Sequence, residues 1–447
     1  MKIFRLLALM MALLLTVAAC GSDDAGSDRA EDDVDDGGAI EQSEDDDTES
    51  NGAVSSSREK LEIFSWWTGA GEEDGLIALI ELFQEQHPDI AVENAAVAGG
   101  AGTNAKAVLA SRMQGNDPPA TFQVHGGAEL NESWVAADKM EPLNDLFEEQ
   151  GWMDKFPQEL IDMVSMGGDI YSVPVNIHRS NVLWYNIHVF EEHGLEPPTT
   201  FDEFFEVADA LLDAGVTPLA LGDREPWAAT HLFETVLLGV LGPEQYEQLW
   251  TQELSFNDDQ VVEAVEIFKR MLGYINSDHS SRNWQDASQL VANGEAAMNV
   301  MGDWAKGYFV NDLSLEVNGD FGYVATPGTE GMFMVVTDTF GLPKGVDNTD
   351  DVKKFLSVLG SVEGQDAFNV LKGSIPARVD ADVSKYDEYG VDTINDFQEA
   401  ELAASLAHGS AASEGYLTRV NQEMNIFVTQ QEVQNFIDAI EAAAGDL

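Results

Sequence analysis

The stretch LEIFSWWTGAGEEDGLIALIELFQEQHPDIAVENAAV, residues 61–97, decides the fold class of this chain. It begins with the largely apolar residues 61–64, which predict a strand, and continues with a helical pattern from Glu72 to Gln86 that ends before Pro88. A second strand is predicted from Ile90 to Val97. Strands that alternate with helices are typical of α/β proteins. We therefore expect an α/β fold with a mostly parallel sheet.

A second segment, PPTTFDE at residues 197–203, marks the start of another helix. Thr200 and Glu203 have the spacing of a capping box, and apolar residues recur at helical intervals from Phe201 onward. The alternation extends along the chain: helices are predicted over residues 104–113, 233–241, 261–272, 284–292, 351–359, near 396–406 and over 423–443, and strands over 121–124, 182–185, 298–301 and 332–336.

The length of the chain indicates more than one domain. The sequence has 447 residues, and roughly 390 of them follow residue 58. A single hydrophobic core seldom grows to that size, so such chains divide into domains. We expect two.

The N-terminus has the pattern of a secretory signal. Lys2 and Arg5 precede an apolar run over residues 6–17, which is too short to span a membrane comfortably, and small residues then lead to Cys20. The sequence VAAC at residues 17–20 resembles a bacterial lipobox, in which the cysteine is diacylated. Cys20 is the only cysteine, which excludes an intramolecular disulfide and favours lipid attachment. The alternative is a plain signal peptide with an incidental cysteine.

The chain is strongly acidic. It has 81 Asp and Glu against 22 Lys and Arg, a formal charge of −59. Residues 21–58 contain 14 of the acids and few apolar residues, so we predict a disordered tether there. Residues 59–447 still have 67 acidic and 18 basic residues. This charge argues against binding to nucleic acid or anionic lipid through the body, and suggests a salt-adapted extracellular protein.

Several stretches, in their order along the chain, resemble one family. From about Lys60 to Ile440 the sequence is similar to type II periplasmic sugar-binding proteins, the extracellular solute-binding proteins of ABC importers, and closest to their glucose/galactose-binding branch. The stretches that carry the resemblance are EIFSWW at 62–67, TFQVH at 121–125, PVNIHRSN at 174–181, PPTTFDE at 197–203, GEAAMNVMGDW at 294–304, residues 364–378, and within them LKGSI at 371–375.

The resemblance implies a two-lobed periplasmic-binding-protein type II fold with ligand in the cleft between the lobes. It places residues 59–175 and 329–373 in lobe 1, and residues 176–328 and 374–447 in lobe 2. The expected ligand is a monosaccharide such as glucose or galactose, and the expected partners are the permease subunits of an ABC importer. We expect a monomer, lipid-anchored on the extracellular face of the cytoplasmic membrane or in the periplasm, with no cofactor, metal or nucleic acid.

A sugar site needs polar groups for the hydroxyls and an aromatic platform for the apolar ring face. Gln123 and His125 follow a predicted strand and, at alternate positions, point the same way. Together with the resemblance, this reasoning predicts ten ligand-binding residues: Trp67, Glu72, Gln123, His125, Trp284, Asp303, Trp304, Asp338, Lys372 and His408.

Several of these residues have a structural alternative; Gln123 and His125, for example, could be a capping pair on a solvated loop. The tryptophans could belong to the core, with Trp66 competing with Trp67 for the ligand. Asp303 could be a helix N-cap, and His408 could interact with the dipole at a helix C-terminus. The loop at residues 69–71 is one residue longer than in the resembling branch, which leaves Glu73 as an alternative to Glu72. The glycine-rich segment 99–102 lacks the Gly-Lys-Ser/Thr ending of a phosphate loop.

Two other functions compete with sugar binding. A secreted glycoside hydrolase would also contain tryptophans and carboxylates, but it needs two carboxylates at a defined separation, and no pair is marked in the sequence. A metal-binding lipoprotein could use His125 and His408 with carboxylates, although the sequence has no closely spaced His/Asp cluster.

Overall fold

The computed structural model describes residues 60–446. The predicted signal, Cys20 and the predicted tether lie outside these residues. The described part contains fourteen strands: β1 (Leu61–Phe64), β2 (Val92–Asn94), β3 (Thr121–His125), β4 (Ser165–Met166), β5 (Asp169–Ile170), β6 (Ser172–Pro174), β7 (His178–Arg179), β8 (Val182–Asn186), β9 (Thr217–Ala220), β10 (Ala296–Val300), β11 (Phe321–Ala325), β12 (Met332–Val336), β13 (Asp338–Gly341) and β14 (Glu401–Ala404).

Fifteen α-helices accompany the strands in the same residues. They are α1 (Ala70–Gln86), α2 (Thr103–Gln114), α3 (Asn144–Gln150), α4 (Gln158–Met163), α5 (Ile187–His193), α6 (Phe201–Ala214), α7 (Trp227–Trp250), α8 (Asp259–Met271), α9 (Trp284–Ala292), α10 (Trp304–Gly307), α11 (Thr349–Leu359), α12 (Val362–Lys372), α13 (Glu388–Glu399), α14 (Glu414–Gln430) and α15 (Val433–Ala443). Helix α7 is kinked at Gly242, which has a positive φ of 72° and precedes Pro243.

Two large sheets organise the chain. The first has the order β2-β1-β3-β13-β6 and the second the order β11-β8-β10-β9. Separate apolar cores pack against them: one includes Phe83, Phe122 and Phe355, the other Phe204 and Phe268. We call the first sheet with its helices the first lobe, and the second sheet with its helices the second lobe.

The expectation of a mostly parallel sheet is confirmed for all but one strand of each large sheet. In the first sheet β1 is parallel to β2 and β3, but β13 runs antiparallel to β3 and β6. In the second sheet β10 is parallel to β9, whereas β8 is antiparallel to both β10 and β11. Strand β13 enters the first sheet after the chain has passed through the second lobe, so it arrives from the opposite direction.

A small sheet with the order β14-β12-β7 lies where the chain passes between the lobes. Strand β7 separates β6 of the first sheet from β8 of the second, and β12 separates β11 from β13. Strand β14 then pairs in parallel with β12. The segment after β14 contacts the first lobe through hydrogen bonds from Ala128 N–H to Ser410 O (3.1 Å) and from Glu129 N–H to Gly409 O (2.8 Å).

Candidate functional site

A cavity of about 890 Å³ opens between the two lobes. Both lobes contribute to its wall, as the resemblance implies for a ligand cleft. The first lobe contributes the loop after β1, the start of α2, the end of β3 and the start of β13. The second lobe contributes the N-termini of α7, α9 and α10 and one face of α14. The polar and aromatic residues of the wall include Trp66, Trp67, Glu72, Lys106, His125, Glu129, His178, Trp227, Trp284, Trp304, Asp338, Lys372, His408 and Asn421.

Asp338 is a buried carboxylate in this wall. One oxygen accepts a hydrogen bond from Gln123 Nε2 at 2.7 Å and the other from Asn176 Nδ2 at 2.8 Å. Burial alone would raise the pKa of Asp338, but a hydrogen bond from His178 and nearby positive charges, including Lys372, outweigh it and hold the pKa well below its usual range. The carboxylate therefore stays ionised as an acceptor.

Carboxylates orient two histidines of the wall. His125 Nδ1 lies 2.8 Å from Glu129 Oε2, at i,i+4 spacing. His178 Nδ1 is hydrogen-bonded to Oδ1 of Asp303, and Oδ2 of Asp303 accepts the backbone N–H of Arg179 at 3.0 Å. Burial lowers the pKa of His178, but Asp303 more than compensates, so the pKa is raised overall. The ring of His178 thus lies between two carboxylates, those of Asp303 and Asp338.

Aromatic rings line the side of the cavity formed by the second lobe. The ring of Trp304 lies 4.8 Å from that of His408 and 5.4 Å from that of His178, in both cases edge to face. Trp227 lies 5.4 Å from His408. Trp284 also lines the cavity and packs against Tyr308 at 5.9 Å. These rings offer the kind of apolar surface that a sugar ring covers.

The two adjacent tryptophans after β1 differ in burial. Trp67 is 1% exposed and packs against Phe368 at 4.5 Å and Phe340 at 5.6 Å in the core of the first lobe. Trp66 is half-buried, 5.1 Å from the ring of His125 and 5.8 Å from Lys106 Nζ. Both line the cavity, and Trp66 is the more exposed of the two.

Two ion pairs border the cavity. Lys372, 3% exposed, pairs with Glu72. Glu72 lines the cavity and Glu73 does not, which favours Glu72 of these two alternatives. Lys106 lies 2.8 Å from Glu129 and 3.7 Å from Glu414. The sequence reasoning missed Lys106. The available signal was its position as the first cation after the glycine-rich segment 99–102, of which Gly99 and Gly100 line the cavity.

The ten predicted residues fall into two groups. Eight line the cavity: Trp67, Glu72, His125, Trp284, Trp304, Asp338, Lys372 and His408. The other two, Gln123 and Asp303, lie behind the wall, at 1% and 0% exposure. Gln123 accepts the N–H of Trp66 while it donates to Asp338, so its amide is already engaged. Asp303 directly precedes α10, but its side chain makes no cap hydrogen bond and is hydrogen-bonded to His178 instead.

One group of side chains among residues 60–446 has the spacing of metal ligands. His231, Glu234 and His408 each offer an atom within 4.8 Å of the others. This group shares only His408 with the metal alternative considered from the sequence. His231 and Glu234 are completely buried behind the cavity wall.

Comparison with known proteins identifies the family. Residues 69–366 match the family model described as bacterial extracellular solute-binding protein. The chain belongs to the bacterial extracellular solute-binding protein family. One relative of this solute-binding protein, an uncharacterized ABC transporter extracellular-binding protein of Pyrococcus horikoshii, is 40% identical over 379 residues, which cover 84% of this chain and 85% of the relative.

Other matches support the same family and fold. The xylose/arabinose-binding protein XacG of Haloferax volcanii is 31% identical, over 79% of this chain and 77% of its own length. Among solved structures, the bacterial solute receptor AcbH, described as having an exclusive preference for β-D-galactopyranose, superposes with a TM-score of 0.77 at 19% identity, over 87% of this chain and 97% of its own. The match confirms the two-lobed solute-binding fold.

The family membership rejects the glycoside hydrolase alternative, since these relatives are binding proteins and not enzymes. Within residues 60–446, no helix of this solute-binding protein has both the length and the apolar character needed to cross a bilayer.

Proposed function

We propose that this solute-binding protein binds a monosaccharide such as glucose or galactose and presents it to the permease subunits of an ABC importer. The observation that carries the proposal is the cavity wall, in which aromatic rings of the second lobe face ionised and imidazole groups of the first. A pyranose has an apolar face and a rim of hydroxyls, and this wall offers a complement to each. The xylose/arabinose-binding protein XacG and the structural neighbour AcbH, with its preference for β-D-galactopyranose, support this class of ligand.

In this proposal the predicted residues have two roles. Asp338, His125, Lys372, Glu72 and His408 hydrogen-bond the hydroxyls, and Trp304, Trp284 and Trp67 contact the ring. Hydrogen bonds to charged groups are stronger than neutral ones, so Asp338 and Lys372 dominate the polar contribution. Gln123 and Asp303 act indirectly, because they orient Asp338 and His178.

Ligand contacts from both lobes would stabilise a closed form over an open one, and the permease would recognise the closed surface. We propose residues 59–175 with 329–373, and 176–328 with 374–447, as the two bodies that close, in a protein that acts as a monomer.

We also propose that Cys20 is diacylated and anchors the protein at the outer face of the cytoplasmic membrane or in the periplasm, with residues 21–58 as a tether. Expression in a host with lipoprotein processing, followed by detergent-phase partitioning, tests this part. Wild type should enter the detergent phase, and Cys20→Ser should remain in the aqueous phase. Identical partitioning of the two would contradict the anchor.

The sugar proposal is tested by calorimetry and thermal unfolding of the purified protein in molar NaCl, with glucose, galactose, xylose, arabinose and maltose. A ligand at one hundred times its Kd should stabilise the fold by about 2.7 kcal/mol. We expect the largest rise in Tm with glucose or galactose. If no monosaccharide raised Tm, or if maltose alone did so, the proposal would fail.

A further inference from the structure

Behind His408, two buried side chains that do not line the cavity lie one turn apart on α7. His231 and Glu234 are both 0% exposed. His231 Nδ1 lies 3.2 Å from His408 Nε2, 3.2 Å from Ser180 Oγ and 3.7 Å from Glu234 Oε1. His231 Nε2 is buried and has no hydrogen-bond partner.

These contacts determine where the ring proton of His231 lies. Burial lowers the pKa of His231 to about 3, so the ring holds one proton at neutral pH. All three neighbours of Nδ1 can accept a hydrogen bond, and Nε2 has no acceptor. A proton on Nε2 would be a buried unsatisfied donor and would leave the lone pair of Nδ1 facing the oxygen of Glu234. The proton therefore belongs on Nδ1.

The tautomer of His231 then decides that of His408. Two N–H groups cannot face each other at 3.2 Å, so His408 Nε2 must be the unprotonated nitrogen that accepts from His231. Burial and the neighbouring His231 keep the pKa of His408 well below its usual range, so His408 is neutral and has its one proton on Nδ1. His408 lines the cavity, and Nδ1 is the ring nitrogen that remains for a ligand.

Glu234 also positions the segment that carries His408. Its Oε2 accepts the N–H of Ala407 at 2.8 Å, and its Oε1 accepts the hydroxyl of Ser405 at 2.8 Å. The same hydroxyl oxygen accepts the N–H of His408 at 3.2 Å. Glu234 therefore holds His408 through the backbone, and the side chain of His231 holds the ring.

We propose that Glu234 and His231 are positioning residues that present His408 to the cavity as a neutral Nδ1–H donor, directed at an acceptor oxygen of the ligand. The inference rests on the proposed function for the identity of that ligand. Among residues 60–446, Glu234 has no cationic partner within salt-bridge distance, since its neighbour His231 is neutral. Its place behind the cavity wall is accounted for by this positioning role.

A metal held by His231, Glu234 and His408 would be the competing explanation. A histidine that binds a metal through one ring nitrogen nearly always donates the other N–H to an acceptor. Coordination through His231 Nδ1 would instead leave Nε2–H buried without one. The geometry therefore favours hydrogen bonding over coordination.

The test is proton–nitrogen correlation spectroscopy of the histidine side chains in ligand-free protein at pH 8, with His408→Asn used to assign the signals. We expect His408 to be protonated at Nδ1 in wild type. His231→Phe removes the side chain that donates to His408 Nε2. Glu234→Gln places an amide N–H near His231 Nδ1. Both variants should therefore shift His408 toward the Nε2–H tautomer. His188→Phe changes an exposed histidine that does not line the cavity, and it should leave the His408 signals unchanged.

The same variants are then titrated with the monosaccharide that binds best. One misdirected hydrogen bond should weaken binding by about two- to tenfold in His231→Phe, while His188→Phe keeps the wild-type Kd. Because the spectra need no ligand, they test the tautomer even if the sugar proposal fails. Protonation of His408 at Nε2 in wild type, or zinc retained stoichiometrically through purification and lost in His231→Phe, would overturn the inference.

Discussion

Lys372 is a buried cation in the cavity wall. It is 3% exposed, pairs with Glu72, and lies 6.0 Å from the ring of Trp67. If its ammonium binds a sugar hydroxyl, Lys372→Met should weaken binding by about ten- to a hundredfold, because hydrogen bonds to charged groups contribute about 1.5–3 kcal/mol. Isothermal titration calorimetry measures the change in Kd.

A matched control is available at Lys354. This lysine pairs with Asp351 at 2.9 Å on α11, but it does not line the cavity. Lys354→Met should leave the Kd unchanged. Equal affinities for the Lys372 and Lys354 variants would remove Lys372 from the binding site.

Glu234 gives a prediction about pH and stability. Burial raises its pKa from the usual 4.5 to about 7, so the folded state holds a proton that the unfolded state has already lost between these pH values. Stability from this group is therefore complete below pH 4.5 and is lost as the pH rises to about 7. The loss amounts to about 3 kcal/mol at most.

Urea unfolding of wild type and Glu234→Gln at pH 5, 6, 7 and 8 measures this effect. The variant should gain stability relative to wild type as the pH rises from 5 to 7, and the difference should then level off. Glu206→Gln, which changes an exposed glutamate on α6, should show no such trend. A difference between wild type and Glu234→Gln that does not vary with pH would contradict the assignment.

At the residue scale, sequence patterns located side chains at strand ends better than they identified the hydrogen-bond partners of those side chains. Asp338, His125 and Trp304 follow predicted strands by one to three residues, and this position together with the family resemblance placed them at the cavity that they line. Lys106 and Trp227 were not, because they approach the cavity from helices whose packing is set by tertiary contacts. The engagement of Gln123 with Asp338 joins residues 215 positions apart, which no local pattern indicates.

At the element scale, the start of α6 shows local chemistry that the sequence did reveal. Thr200 Oγ accepts the N–H of Glu203, and the carboxylate of Glu203 accepts the N–H of Thr200 at 3.1 Å, so the predicted capping box is confirmed. Thr200→Ala should lower the free energy of unfolding by about 1 kcal/mol. Urea denaturation measures the change.

Thr251 provides the control for this helix cap. It is exposed at the C-terminal end of α7 in the same lobe, and its hydroxyl makes only long contacts of 3.4–3.5 Å with helix carbonyls. Thr251→Ala should change stability by less than about 0.5 kcal/mol. A similar loss in both variants would mean that the cap itself contributes little.

Other elements depend on pairing that the local sequence does not specify. The helix predicted near residues 396–406 is wrong after Glu399, because Glu401–Ala404 pairs with β12 as strand β14. The single helix predicted over 423–443 is two helices, interrupted at Gln431, which has a positive φ of 56°. Helix α9 was predicted to the residue, and α8 and α11 were predicted to within two residues at each end.

At the scale of the whole molecule, the side chains that form the lobe cores are largely different from those that line the cavity. Each lobe has its own core, and the cavity uses side chains from the edges of both. Charge in the cavity is balanced by local pairs such as Lys372 with Glu72 and Lys106 with Glu129. The large excess of acid is therefore carried elsewhere, mostly by exposed side chains.

This excess leads to a prediction about salt. Residues 59–447 contain 67 acidic and 18 basic residues, and like charges at this density destabilise a compact state in dilute buffer. The screening length falls from about 30 Å at 0.01 M salt to about 3 Å at 1 M. We therefore expect Tm to rise by several degrees between these NaCl concentrations. Differential scanning calorimetry measures it, with sucrose at matched osmolality as the control for solute exclusion. Screening requires NaCl to stabilise more than sucrose does; an equal rise with both, or no rise with NaCl, would show that self-repulsion does not limit the stability of this fold.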